Sequence, residues 1–192
     1  MRYRGRRFHS TFLFVSCLAV ASCAGRRSSN PPQPRVAGPE YEREFLQNRI
    51  AHQQAAIEMA RSCMQKAVHD ELKQFCTSLS STEAEEARQL QGWLIQWLGI
   101  SSQPQVQERA TQGYRNFLKS VRTSTGSEFE QAFLTALRLH HHEGVRESQA
   151  CEESAVHPEL KSLCSRMIGE QEREIKQIST WICGWFHDCV EK

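Results

Sequence analysis

The chain has 192 residues, with 24 lysines and arginines, 22 acids, eight histidines and eight cysteines. A formal charge of +2 lacks the concentrated basic surface that phosphate binding needs, so nucleic acid is not an expected partner. No apolar run reaches about 18 residues, which excludes a polytopic membrane protein, and eight cysteines are many for a reduced cytosolic chain.

Residues 1–22 read as an export signal. Arg2, Arg4, Arg6 and Arg7 form a positive start, and residues 11–22 form an apolar stretch too short to span a bilayer. It ends in Val20-Ala21-Ser22-Cys23, which resembles a bacterial lipobox, with Cys23 as the acylated residue. Ordinary soluble secretion, with cleavage near Ala24, is the alternative. Acyl chains on Cys23 give durable anchoring. Ala24 and Gly25 follow, with no Asp, which in a Gram-negative cell resembles sorting to the outer membrane, facing the periplasm. The expected location is therefore the cell envelope, and the membrane is the one expected partner; no protein partner can be named. The segment contains four arginines and no acid, so its removal takes the formal charge from +2 to −2. Residues 23–40, with four prolines, read as a flexible tether.

The remainder is a repeat of period 88. The shift carries Phe45-Leu46 to Phe133-Leu134, His52 to His140, Cys63 to Cys151, and His69 to His157. It also carries Cys76 to Cys164, Glu86 to Glu174, Trp93 to Trp181 and Trp97 to Trp185. Residues 41–100 form the first copy, 101–126 a connecting segment, and 127–188 the second copy. Each copy reads as two helices. Leu46, Ile50, Ile57 and Met64 keep helical spacing in the first helix, and Leu90, Trp93, Leu94 and Trp97 in the second. The breaks fall at Val68-His69-Asp70 and Val156-His157-Pro158, where Pro158 suits a first helical turn. A connecting helix is expected over residues 106–121. Ser127 with Glu130 reads as a capping box opening the third long helix. Two such hairpins bury their apolar faces on each other, giving an all-α four-helix bundle.

Cys63 and Cys76 lie 13 residues apart and straddle a turn, as do Cys151 and Cys164. In antiparallel helices each pair sits at one height, so disulfides Cys63–Cys76 and Cys151–Cys164 are expected to staple the hairpins. Cys183 and Cys189 form either a third disulfide, which requires the helix to end between them, or a metal site with His187. Cys17 leaves with the signal. The i,i+4 tryptophan pairs read as core or bundle-end packing.

His52, Met59 and Cys63 form one stripe facing the partner helix. Glu86 shares the height of His52 but is rotated about 80° from the cysteine face. His140 and Glu174 repeat that relation, so the four are candidates to meet inside the bundle, as a metal layer or as structural hydrogen bonds. Of the acids Glu83, Glu85 and Glu86, only Glu86 is expected to leave the solvated face.

With these residues in view, the chain resembles the DUF305 family of mostly secreted bacterial proteins in the ferritin-like superfamily. Its pattern runs F-L-x-x-M-I-x-H-H-x-x-A-I-x-M-A, A-x-x-P-E-L and Q-x-x-E-I-x-x-M-x-x-W-L. The first copy matches it at Phe45-Leu46, Ile50, His52, Ala56-Ile57, Met59-Ala60, Glu71-Leu72, Glu86 and Trp93-Leu94. The second matches at Phe133-Leu134, His140-His141, Pro158-Glu159-Leu160, Gln171, Glu174-Ile175 and Trp181-Ile182. The resemblance implies a ferritin-like helical bundle and, for some members, copper binding through His and Met. This chain departs from the pattern at Gln53, at Glu147 where a Met would stand, and at Leu90 and Ile178. The surviving ligand set is His52, Met59, His140, His141, Glu147 and Glu174. It is harder than a thioether set and suits Cu(II), zinc or iron. Neither CxxC, GxSxG nor HExxH occurs, so no enzyme activity is expected. The two expected functions are metal handling at the envelope and a non-catalytic interaction bundle with a degenerate site.

Overall fold

The computed structural model describes residues 38–101, 111–121 and 123–189; the export signal, Cys23 and most of the tether lie outside them. Five helices are described: α1 Pro39–Lys66, α2 Asp70–Leu98, α3 Gln112–Ser120, α4 Gly126–Ser154 and α5 Pro158–Phe186. The chain is all-α, as expected, with no strand among the described residues. Helix α1 starts at Pro39, inside the stretch read as tether, because a proline at the first helical position needs no hydrogen-bond partner for its nitrogen. Helix α2 stops at Gly99 in the left-handed conformation. There the Gly99 and Ile100 N–H groups bond to the Ile95 and Leu94 carbonyls. Helix α5 stops at His187, also left-handed (φ 57°), between Cys183 and Cys189. The expected connecting helix is seen only as α3; residues 102–110 lie outside the described part.

All three disulfides are formed: Cys63–Cys76, Cys151–Cys164 and Cys183–Cys189. The first two close α1 on α2 and α4 on α5, and each contributes on the order of 3 kcal/mol by restricting the unfolded chain.

The hairpins pack head to tail, giving two apolar cores at opposite ends. One joins the stapled end of the first hairpin (Cys63, Leu72, Cys76, Leu79) to the open end of the second (Phe129, Phe133, Ile178, Ile182). The other joins the open end of the first (Phe45, Leu46, Leu90, Leu94) to the stapled end of the second (Cys151, Leu160, Cys164, Met167). A shift of 88 exchanges the two. Helix α3 breaks the symmetry by adding Tyr114, Phe117 and Val121 to the first core only.

The capping box expected at Ser127 does not form. The N-cap of α4 is Thr125, with no side-chain cap bond. Glu130 turns instead to the other hairpin. Its Oε1 accepts from the backbone N–H groups of Val68 (2.7 Å) and His69 (2.8 Å), and its Oε2 meets His69 Nδ1 at 2.7 Å. Glu42, one period earlier, does the same for Val156 N (2.8 Å), His157 N (2.8 Å) and His157 Nδ1 (2.6 Å). Helices α2 and α5 have no local side-chain cap, so their starts are capped by a buried carboxylate from the opposite copy. Each histidine then stacks on a tryptophan: His69 on Trp185 at 4.0 Å and His157 on Trp97 at 3.8 Å. The tryptophans expected as bundle-end packing thus close two reciprocal latches between the copies.

Candidate metal centre between the repeats

A polar layer lies between the two cores. The rings of His52 on α1 and His140 on α4 stack there, with centroids 3.7 Å apart and planes inclined by 20°. They are equivalent residues meeting face to face, so the pseudo-twofold axis passes between them. His140 Nδ1 meets Thr111 Oγ1 at 2.9 Å, and the His141 ring lies 6.1 Å from that of His140. His141 Nε2 faces Glu174 Oε2 at 3.0 Å. His52 Nδ1 lies 3.7 Å from Glu147 Oε2. His142, next in the triple, is exposed.

Two expected pairings are shifted by one residue. Glu86 accepts from Gln53 Nε2 rather than pairing with His52, and Glu174 meets His141 rather than His140. The reason is rotational: Glu86 sits about 80° off the cysteine face, and the next residue along α1 is turned by about 100°. Met59, read as a ligand, is enclosed in the first apolar core. Glu83, read as solvated, is 3% exposed; it shares the buried face of Glu86, three residues on.

The residue the sequence reading passed over is Arg49, wholly buried on α1, one turn before His52. It occupies the first Met position of the family pattern, and its counterpart one period later is Leu137. Its Nη1 donates to the Gly144 carbonyl at 3.3 Å and lies 3.7 Å from Glu147 Oε2. Gly144 makes room for this crowd. A Cβ there would meet Gln171 Oε1, Arg49 Nη1 (2.8 Å) and His52 Nε2 (2.9 Å). The pattern position and the glycine on the facing helix were the available signals, and both are weak alone.

Electrostatics follow from this burial. His52 and His140 are pushed well below the usual histidine range, first by burial and then by neighbouring imidazoles and Arg49, so both rings are neutral. Burial pushes Glu83 well above the carboxylate range, with Glu86 adding to it. Glu86 is held up to about 7 by burial, although Arg49 pulls it down. Glu147 is raised by burial against the pull of Arg49.

A consequence for Glu86 can be measured. Between about pH 4.5 and 7 the folded protein keeps a proton that the unfolded chain has released, so this group's contribution to stability falls as pH rises through that window. Glu86→Gln is therefore expected to be more stable than the native protein by about 1–3 kcal/mol near pH 8 and equal to it near pH 4. His52 and His140 act in the opposite direction, destabilising the fold below about pH 6.5, but in both proteins alike. Urea titrations across this pH range give the difference; a difference independent of pH would refute the shift.

The donor chemistry fits a borderline or soft ion: Nε2 of the neutral His52 and His140 rings and Nδ1 of the buried His141 lack a hydrogen-bond partner. The geometry is less accommodating. Lone pairs lie in the ring planes, so two rings stacked 3.7 Å apart do not both reach one ion at about 2.0 Å as they stand. Among the described residues no three His, Cys, Asp or Glu side chains are grouped to hold an ion. Arg49 brings a fixed positive charge into the same space.

The DUF305 profile, described as a domain of unknown function, matches residues 42–182. The chain belongs to the DUF305 family. Solved structures show where it sits within that fold. The Cu(I)-bound form of CopM is 26% identical, with a TM-score of 0.66, over 76% of this chain and 97% of that one. The Cu(II)-bound form gives 26% and 0.65 over 75% and 97%, and a silver-bound form 25% and 0.65 over 76% and 96%. A DUF305 protein from Streptomyces coelicolor, 23% identical with a TM-score of 0.65 over 79% and 96%, shares the fold. No curated protein matches the chain. In this DUF305 chain, the structure brings His52, His140, His141, Glu147 and Glu174 into one layer, places Glu86 beside them through Gln53, and leaves Met59 outside.

Proposed function

We infer that this protein is a lipid-anchored, non-catalytic protein of the bacterial cell envelope that binds copper and holds or passes it on. The observation that carries this reading is the set of buried, neutral histidines on the axis between the repeats, whose free ring nitrogens would be satisfied by an ion. The copper-bound and silver-bound forms of CopM, over nearly its whole length, favour the same ion class. His52, His140 and His141 would supply nitrogen, and Glu147 and Glu174 the outer carboxylates that orient them. Copper is cargo here, with no reaction attached to it.

Titration of the oxidised mature protein with Cu(I) and Cu(II), against chromophoric chelators, tests this. The native chain is expected to bind, and His140→Ala/His141→Ala to lose at least about tenfold in affinity. Equal affinity in the two would sink the assignment. Arg49 favours a second reading: its guanidinium supplies the positive charge that the layer would otherwise take from an ion, and the protein is then an interaction bundle. Arg49→Met separates the two. Removing a cation a few ångströms away is expected to raise copper affinity by about tenfold or more. On the second reading only this variant binds.

A further inference from the structure

Helix α3 stands outside the repeat: among the described residues it has no counterpart in the second hairpin. Its nine residues are fewer than an isolated helix needs to hold together in water, so contact with α1 and α4 keeps it folded. Its two ends are held differently. Toward the C-terminal end, Phe117 and Val121 sink into the first core, and Lys66 of α1 donates to the Val121 carbonyl at 3.1 Å. The N-terminal turn is held chiefly by polar contacts. Glu143 of α4 accepts from the N–H groups of Gln112 (3.2 Å) and Gly113 (3.1 Å), and the Tyr114 hydroxyl donates to Glu58 of α1. Thr111 caps the helix by accepting from the Tyr114 N–H at 3.2 Å, and its hydroxyl also meets His140 Nδ1 at 2.9 Å. Gly113 lets this turn lie directly on the backbone of His140.

We propose that the N-terminal turn of α3 is a door over the stacked His52–His140 pair, hinged at Phe117 and Val121, and that an ion loads only when this door lifts. His140 is wholly buried, and Thr111 holds its ring in the stack. In that position the two rings do not both reach one ion, because their lone pairs lie in nearly parallel planes 3.7 Å apart. Lifting the turn breaks the Thr111 bond, lets solvent reach His140, and frees its ring to rotate about its own side-chain bonds and aim a nitrogen at an ion. The holds that break are made by the side chains of Thr111, Glu143 and Glu58. None of them joins the four long helices to one another, so the bundle and its two buried staples stay in place. Thr111 is thus a positioning residue that acts through His140. The ion and the use of His140 as its ligand rest on the copper reading above; the shielding of His140 by α3 does not.

The test compares the whole mature protein with Thr111→Val and Tyr114→Phe, which each remove a hold on the door, and with Thr111→Ser, which keeps the hydroxyl. Diethyl pyrocarbonate, which acylates neutral imidazoles, reads access without any metal, and mass spectrometry assigns the modified residue. His140 is expected to react about 3- to 10-fold faster in Thr111→Val and Tyr114→Phe than in the native chain, and at the native rate in Thr111→Ser. The exposed His142 should react alike in all of them. Cu(I) uptake followed by stopped flow should accelerate in the same two variants, and the copper-loaded native protein should exchange its Gln112–Ser120 amides faster than the metal-free protein. Equal reactivity of His140 throughout overturns the door whether or not copper binds. Slower or weaker loading of Thr111→Val, or stronger protection of α3 in the loaded protein, also overturns it, since Thr111 would then be orienting His140 for the ion. Absence of copper binding in every variant refutes the copper reading, and the His140 reaction rates then uphold or overturn the door by themselves.

Discussion

Glu130→Ala is expected to cost about 3–5 kcal/mol of folding stability, and Glu42→Ala a similar amount. Each carboxylate is buried and accepts from two backbone N–H groups and one imidazole of the opposite copy. Truncation leaves the start of a long helix uncapped, two part-buried backbone donors without their partner, and a histidine no longer held against its tryptophan. The Gln variants retain an acceptor and are expected to lose less, about 1–2 kcal/mol. Urea denaturation followed by tryptophan fluorescence reads both effects, since Trp185 and Trp97 report the stacked histidines. A loss below about 1 kcal/mol for either Ala variant would mean that the latches do not hold the copies together.

Gly113→Ala is the second large effect. A Cβ at Gly113 would stand 2.7 Å from the backbone nitrogen of His140 and 2.8 Å from its Cα. The obstacle is backbone in the middle of a long helix, so α4 has little freedom to yield. Helix α3 must lift, breaking the bond from Thr111 to His140 and drawing Tyr114 and Phe117 out of the first core. The expected cost is about 2–3 kcal/mol, with faster amide exchange across Gln112–Ser120. Gly92→Ala, inside α2 with nothing within 4 Å of the added carbon, is the control and should stabilise by about 0.5–1 kcal/mol.

The helices, the hairpin staples and the tandem architecture were legible because each rests on a short-range signal: 3.6-residue spacing, a 13-residue cysteine separation across a turn, and identities at one fixed offset. The site was legible only in part. His52, His140, His141 and Glu174 were found because they sit at motif positions. Their partners were misassigned by one residue because height along a helix follows from counting, whereas rotation depends on how two helices face each other. Arg49 was missed because a lone arginine among helical residues ordinarily reads as surface; only packing against Gly144 encloses it. Glu130 was misread because a local capping box and a long-range cap use the same residue type at the same place. The glutamate at the equivalent position of the first copy, Glu42, was the clue that the role was shared.

The stacked pair His52 and His140 marks an axis on which a symmetric dimer of identical hairpins would have to place the same residue twice. Two arginines at position 49 would confront each other across that axis, and two leucines would supply no charge at all. Joining the copies in one polypeptide lifts that restriction. Arg49 stands in one half with Leu137 at the matching place, Gln53 with His141, and Met59 with Glu147. The covalent link therefore does more than raise the local concentration of two halves. It lets the interior be lopsided, with the guanidinium that only the first copy carries set beside Glu147, a carboxylate that only the second carries, an arrangement that no assembly of identical subunits about that axis can reach.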